Sequence, residues 1–241
     1  GYSDQVKIIY QYGIETEIAQ EEEKQDVDQP FNIYISGIDV AGDITTNSRS
    51  DVNIIMTVNP NTHKILLTTT PRDYYVLLPG VSGDQRDKLT HAGIYGVDES
   101  MATLESLYGI DITYYARVNF TSLIRIVDAL GGVDVNSEYA FEAGGYQFQQ
   151  GSNHLNGEQA LAFSRERYSF SSGDNQRGKN QEAVLTAILQ KAMSPALLIN
   201  ASELITSVSD CVETNMTRTE MAKFINMQLS EGAGWTIEST A

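Results

Sequence analysis

The sequence predicts an α/β fold, a three-layer α-β-α sandwich with a central mixed sheet flanked by helices. Segments of period-two apolar alternation interleave with segments of helical spacing, a pattern that favours helices on both faces of one sheet. The chain from Leu155 onward is mostly helical in pattern. With 241 residues, 41% of them hydrophobic, it is long enough for one substantial core, since a domain commonly runs to about 150 residues.

Residues 1–30 hold eight acids against two lysines, and the run Glu21 to Asp28 reads as a solvated linker. The folded body opens at Phe31. Phe31 to Ile38 alternates as a strand does, and Val52 to Val58 and Ile65 to Thr70 form a hairpin across the turn Asn59-Pro60-Asn61-Thr62. Tyr74 to Leu78 extends the sheet in this reading, and residues 81–88 are polar and loop-like. Ser100 to Tyr108 has helical spacing closed by Gly109. Ile112 to Val118 is a β-branched and aromatic strand. Thr121 to Leu130 is a helix stopped by Gly131-Gly132.

Val133 to Asn136 is a short strand, and residues 139–153 read as irregular loop or hairpin. Leu155 to Phe163 is a short helix. Asn175 to Met193 is the clearest helix, stopped before Pro195; further helices span about 196–209 and 218–229, and Trp235 to Ile237 is a last strand. There is no internal repeat.

Composition narrows the chemistry. One cysteine, Cys211, excludes an intramolecular disulfide and multi-cysteine zinc sites. Three histidines argue against a His-rich metal centre, although His91 is a candidate site residue beside a structural reading. A formal charge of −16 argues against non-specific nucleic-acid binding. No run of 18 apolar residues occurs, and the start at Gly1 reads as a trimmed chain, so the lack of an anchoring segment says little about location.

Arginine placement is the sharpest functional signal. Arg49 precedes a strand, Arg72 follows one, Arg165 and Arg167 sit at i and i+2, and Arg177 opens the long helix. Strand ends and helix N-termini are where α/β folds bind anions, and guanidinium forks match phosphate oxygens. Each arginine alone reads as a surface ion pair; five together in an acidic chain indicate a pocket for a di- or polyphosphate. If the 165–167 segment is extended, both side chains point to one side.

Asp174, Arg177 and Gln181 share one helical stripe, which Val184, Leu185 and Ile188 continue. The polar turns of such a helix would face phosphate, and the apolar turns a lipid chain or simply the core. Asp39 and Asp51 flank the polar loop 40–50 and are hard oxygen ligands of the kind that suit Mg²⁺ or Mn²⁺, a weak signal among 32 acids. Gly173 to Asn180 nearly matches a P-loop, but Asn180 replaces the required hydroxyl and no buried strand precedes it. Three glycosylation sequons, at Asn119, Asn200 and Asn215, fall in or beside regular elements and read as chance.

Read together, eight segments resemble the LytR-CpsA-Psr family. They are Ile33 to Asp39, Ser48 to Asp51, Leu67 to Asp73, Lys88 to Ala92, Leu130 to Val133, Leu155 to Leu161, Arg165 to Arg167, and Asp174 to Gln181. They run in order from about residue 31 to 230 and look closest to the streptococcal capsule-associated branch. The resemblance makes 31–241 the catalytic domain and 1–30 a linker or the tail of an accessory domain.

It implies an enzyme on the outer face of a Gram-positive membrane, held by a single N-terminal helix. It also implies transfer of a glycopolymer of capsular or teichoic-acid type from a polyprenyl-pyrophosphate carrier to peptidoglycan. By the same carry-over, Asp39 and Asp51 would hold Mg²⁺, or Mn²⁺. Arg49, Arg72, Arg165, Arg167 and Arg177 would grip the pyrophosphate. Gln181, with Lys88 and Lys179, would bind substrate, and Asp174 would position or deprotonate the acceptor hydroxyl.

Two alternatives stand beside this: a polyprenyl-pyrophosphate phosphatase with water as acceptor, and a non-enzymatic lipid-carrier or regulatory module. No basic helix is present to read DNA.

Overall fold

The structure, a computed structural model, describes residues 24–166 and 168–240, and of Asp174 the backbone. In chain order the elements are β1 (Phe31–Ile38), β2 (Ser50–Asn59), β3 (Lys64–Thr69), β4 (Tyr75–Leu77), β5 (Arg86–Lys88), α1 (Leu89–Ala92) and α2 (Val97–Tyr108). They continue as β6 (Tyr114–Val118), α3 (Phe120–Ala129), β7 (Val133–Ser137), β8 (Phe141–Ala143), β9 (Tyr146–Phe148), β10 (Gly151–Leu155) and α4 (Gly157–Arg165). The chain then runs through α5 (Asp174–Ala192), α6 (Pro195–Leu198), α7 (Ala201–Val208), β11 (Glu213–Thr214), α8 (Arg218–Glu231) and β12 (Thr236–Thr240).

Six strands form one mixed sheet in the order β11-β6-β1-β2-β3-β12. Strand β1 is parallel to β6 and antiparallel to β2, and β12 joins the far edge parallel to β3. The alternation in β1 separates the two faces. Phe31, Ile33 and Ile35 join Ile54, Val58, Ile65 and Leu67 under Leu185 and Leu189 of α5, Met193 just after it, and Phe224 of α8. Tyr34 and Ile55 point the other way, against Val76, Leu78, Leu89, Met101 and Leu104. This is the expected three-layer sandwich. A third cluster lies beside it: Val127, Leu130, Val133, Phe148, Phe163 and Val184 pack α3, α4 and α5 against the small strands β7 to β10.

Three local expectations are corrected. Tyr75–Leu77 does not extend the main sheet; it pairs antiparallel with Arg86–Lys88, a strand where the sequence reads as loop. Backbone pairing alone makes that strand, because its three charged side chains carry no apolar alternation. The folded body also begins before Phe31: Val27 is buried in the main core, and the Lys24 amide donates to Glu220 on α8 at 3.3 Å. Finally, Arg165 ends helix α4 and is not in an extended segment; Arg167, and with it the same-side geometry suggested for the two, lies outside the described residues. Among the described residues no helix is long and apolar enough to cross a membrane.

Candidate active site

The chain ends of β1, β3 and β6 and the start of β2 meet at one end of the sheet. Ligands of open α/β sheets gather at the carboxyl ends of strands, and here that end is lined by the first turns of α5. Asp51 is the second residue of β2. Arg72 follows β3 by way of Thr70 and Pro71, and the Thr70 amide donates to the Asn53 carbonyl at 2.9 Å to close the corner. Asp51, Asn53, Thr70, Arg72, Arg177 and Gln181 line a shared cleft. Gly178 faces Thr69 across this wall; an added Cβ would meet Thr69 Cγ2 at an ordinary contact distance of 3.8 Å.

The cleft's central contact is an ion pair, Arg72 Nη1 to Asp51 Oδ1 at 2.8 Å, with the two side chains 23% and 15% exposed. Thr90 Oγ1 donates to the same carboxylate oxygen at 3.3 Å, and the Thr90 amide donates to the Arg72 carbonyl at 2.9 Å. Burial pushes the Asp51 carboxyl above its ordinary value; Arg72, Thr90 and Arg177 pull it back and the Asp39 charge raises it further. Two carboxylates therefore sit near enough to repel, despite the guanidinium beside them.

Below Asp51, Tyr34, Ser36, Ser50 and Asn53 form a buried network. Ser50 Oγ lies 2.9 Å from both the Tyr34 hydroxyl and Ser36 Oγ, and 2.8 Å from Asn53 Oδ1. This network holds the start of β2. The register shift between Gly37 and Ile38 is where β1 leaves its partner for the site loop, and Gly37 is required there because a Cβ would lie 2.7 Å from that of Val52.

The outer side is looser. Arg165 Nη2 lies 4.0 Å from Asp39 Oδ1, with side chains 57% and 49% exposed. The Arg165 guanidinium stacks 4.3 Å over the Phe120 ring. Arg49 is exposed in the same loop as Asp39.

Of the residues singled out from sequence, the structure brings Asp51, Arg72, Arg177 and Gln181 into one cleft, with Asp39 and Arg165 at its side. Lys88 pairs with Asp73 at 3.5 Å and Lys179 is exposed; neither lines the cleft. Of Asp174 only the backbone, at the start of α5, is described. Val184 and Ile188 pack in the third cluster and Leu185 on the sheet, so the apolar half of α5 serves the core. His91 is held by Asp87 at 2.7 Å on the surface.

Sequence reasoning missed Thr90, Asn53, Phe120 and Arg117. Only Arg117 had a signal, a charge inside an otherwise β-branched and aromatic strand.

No group of three or more His, Cys, Asp or Glu residues among those described could hold a metal ion. Asp51, with the Asp39 charge close enough to act on it, does fit a hard cation whose other ligands are phosphate oxygens and water.

Known proteins carry the same architecture. The model of the LytR_cpsA_psr family matches residues 2–239. The chain is 38% identical over 197 residues to the polyisoprenyl-teichoic acid–peptidoglycan teichoic acid transferase TagU of Enterococcus faecalis, covering 81% of this chain and 64% of that protein. It is 37% identical over 194 residues to TagU of Bacillus mycoides, covering 80% and 62%. The chain thus spans slightly less than two thirds of these relatives. Among solved structures, TagV of B. subtilis superposes with a TM-score of 0.76 at 28% identity, covering 89% of this chain and 85% of that one. TagT bound to LI-WTA superposes with a TM-score of 0.71 at 27% identity, covering 91% and 81%.

Proposed function

Because the chain belongs to the LytR_cpsA_psr family, we propose that it transfers a glycopolymer from a polyprenyl-pyrophosphate carrier to peptidoglycan. The observation that carries this reading is the convergence of Arg72, Asp51, Arg177 and Gln181 in one cleft at the sheet's end. The names of the TagU relatives support a teichoic-acid type of polymer. The site of action is the outer face of a Gram-positive membrane, with anchoring through a segment outside this chain.

In the reaction, an acceptor hydroxyl attacks the sugar-bearing phosphorus. The new P–O bond makes a phosphodiester, and the bond to the second phosphate breaks to release polyprenyl monophosphate. Such a transfer needs little covalent help and much charge neutralisation. Arg72 and Arg177 grip the pyrophosphate from the cleft wall, with Arg165 at its outer side; Arg49 and Arg167 complete the set of arginines assigned to it. Asp51, drawn to Arg72 and Thr90, keeps the Arg72 fork aimed before substrate arrives. Gln181 donates to a phosphate oxygen. Asp174, at the head of α5, positions or deprotonates the acceptor hydroxyl, whose proton leaves as the new P–O bond forms. Asp39 and Asp51 would hold Mg²⁺, which supplies Lewis-acid neutralisation of phosphate oxygens when bound.

The test is turnover of a short-chain, glycan-bearing polyprenyl pyrophosphate, with and without a peptidoglycan oligosaccharide, in Mg²⁺ or in chelator. Acceptor-dependent product that chelator abolishes is the expected result. Inorganic phosphate released without acceptor would replace the transferase by a phosphatase. Lipid binding without turnover in every condition would replace both by a carrier-binding module.

A further inference from the structure

The loop of residues 39–49 carries Asp39 and Arg49 but contains no helix or strand. What holds it comes from the junction of β6 and α3. The Arg117 side chain, on β6, is only 5% exposed. Its guanidinium donates to the Thr46 carbonyl and, at 3.4 Å, to Asn47 Oδ1; Glu213 Oε2 on the neighbouring strand lies 3.7 Å away. Three more bonds follow from the same junction. Asn119 Nδ2 donates to the Gly42 carbonyl at 3.0 Å, the Phe120 amide to the Val40 carbonyl at 3.1 Å, and the Gly42 amide to Thr121 Oγ1 at 3.1 Å.

The far end of the loop is fixed separately. A Cβ on Gly93 would lie 2.5 Å from the Ser48 carbonyl oxygen, so the loop presses directly on that turn. Between the two anchors, Ile44 is buried, and Arg117 grips the stretch that follows it, up to two residues before Arg49. A buried cation is costly unless its donors are used, and this one spends them on a loop that has no ladder of its own. The shape of the fork matters: a single ammonium could not bond the Thr46 carbonyl and Asn47 together in the same geometry.

We propose that Arg117 is a positioning residue that sets Arg49 at the mouth of the cleft. The functional half of this inference rests on the reading of Arg49 as phosphate-binding; the structural half does not. In R117Q, amide hydrogen exchange over residues 42–48 should speed up about tenfold or more while the β1–β2 ladder stays protected. If R117Q does not fold, N47A removes the Asn47 half of the grip from the exposed loop side, leaves the Thr46 bond, and should speed the same amides by a smaller factor.

With glycan-bearing polyprenyl pyrophosphate as substrate, R117K should raise KM by about tenfold and leave kcat within about twofold, the pattern of lost substrate binding. The loss in R117K/R49A should not exceed that in R49A, because both remove one interaction. Multiplicative losses in the double variant, or unchanged loop exchange in R117Q or N47A, would overturn the proposal. If the wild-type protein shows no turnover, the proposed function falls, and the exchange experiment still decides whether Arg117 holds the loop.

Discussion

The two sides of the cleft are built differently. On the inner side, Asp51 and Arg72 meet at 2.8 Å, largely buried, on residues fixed by strand ends and a hydroxyl network. On the outer side, Asp39 and Arg165 stand 4.0 Å apart, about half exposed, on a loop and at a helix terminus. The inner pair is aimed before substrate binds. The outer pair has little Coulomb attraction in water and leaves its charges available to a ligand. The difference separates preorganisation from capture within one site, and it can be broken by substitution.

The largest effect belongs to the inner side. R72A should lower kcat/KM about 10²–10³-fold, the scale for losing one preorganised donor to a developing charge. R72K should recover little, since an ammonium cannot replace the fork. If R165A matched R72A in steady-state kinetics, the distinction between the two sides would be lost. R165A should instead cost about tenfold, as for one charge-assisted hydrogen bond, with the difference from wild type shrinking in salt. F120L, which removes the ring under Arg165, should cost about two- to fivefold by the same assay, the size of an exposed cation–π contact.

The coupling between the two sides is readable by titration. Asp51 has a raised pKa in which the Asp39 charge takes part. In D39N that like charge is gone, so the Asp51 carboxyl should titrate at lower pH by carboxyl NMR. An unchanged Asp51 titration would mean that the two carboxylates do not share a site.

The smallest effect concerns what lies behind the inner wall. Glu182 on α5 is buried; burial pushes its carboxyl up, and bonds from Thr69 and Ser239 offset this only in part. The folded protein therefore holds this proton more tightly than the unfolded chain does. Stability should be greatest below the unfolded carboxylate pKa and be lost as pH rises toward the folded value. E182Q should remove that slope and raise Tm at neutral pH by about 2–4 °C, the shift expected for about 1 kcal/mol in a chain of this size. A lower Tm in E182Q would show that the Thr69 bond needs the carboxylate.

Much of the fold was legible. The alternation of Phe31 to Ile38 placed its two faces correctly, because a half-buried strand must repeat every two residues. Asp174 to Ala192 was recognisable as a long helix from spacing and its Pro195 stop. Arg86–Lys88 was not legible, since its pairing with Tyr75–Leu77 runs through backbone groups that any side chain allows. Val27 was hidden by its acidic neighbours: one apolar residue in a charged run has no periodicity to show that it is buried.

In the site, motif order and residue type drew attention to Asp51, Arg72, Arg177 and Gln181. The contacts of Thr90 and Phe120 left no trace in their own segments, because each acts on a residue far away in the chain.

By itself the sequence determined the layers of the sandwich, the family, and the kinds of charge available to the site. These follow from short-range periodicity and from the side-chain chemistry of ordered motifs. The tertiary structure alone decided which arginine meets which carboxylate, that Asp51 is paired and partly buried while Asp39 stands open, and that Arg117 braces the loop between them. Those outcomes depend on strand register, on the corner at Gly37, and on the desolvation of each group, and all three arise only when distant segments pack together.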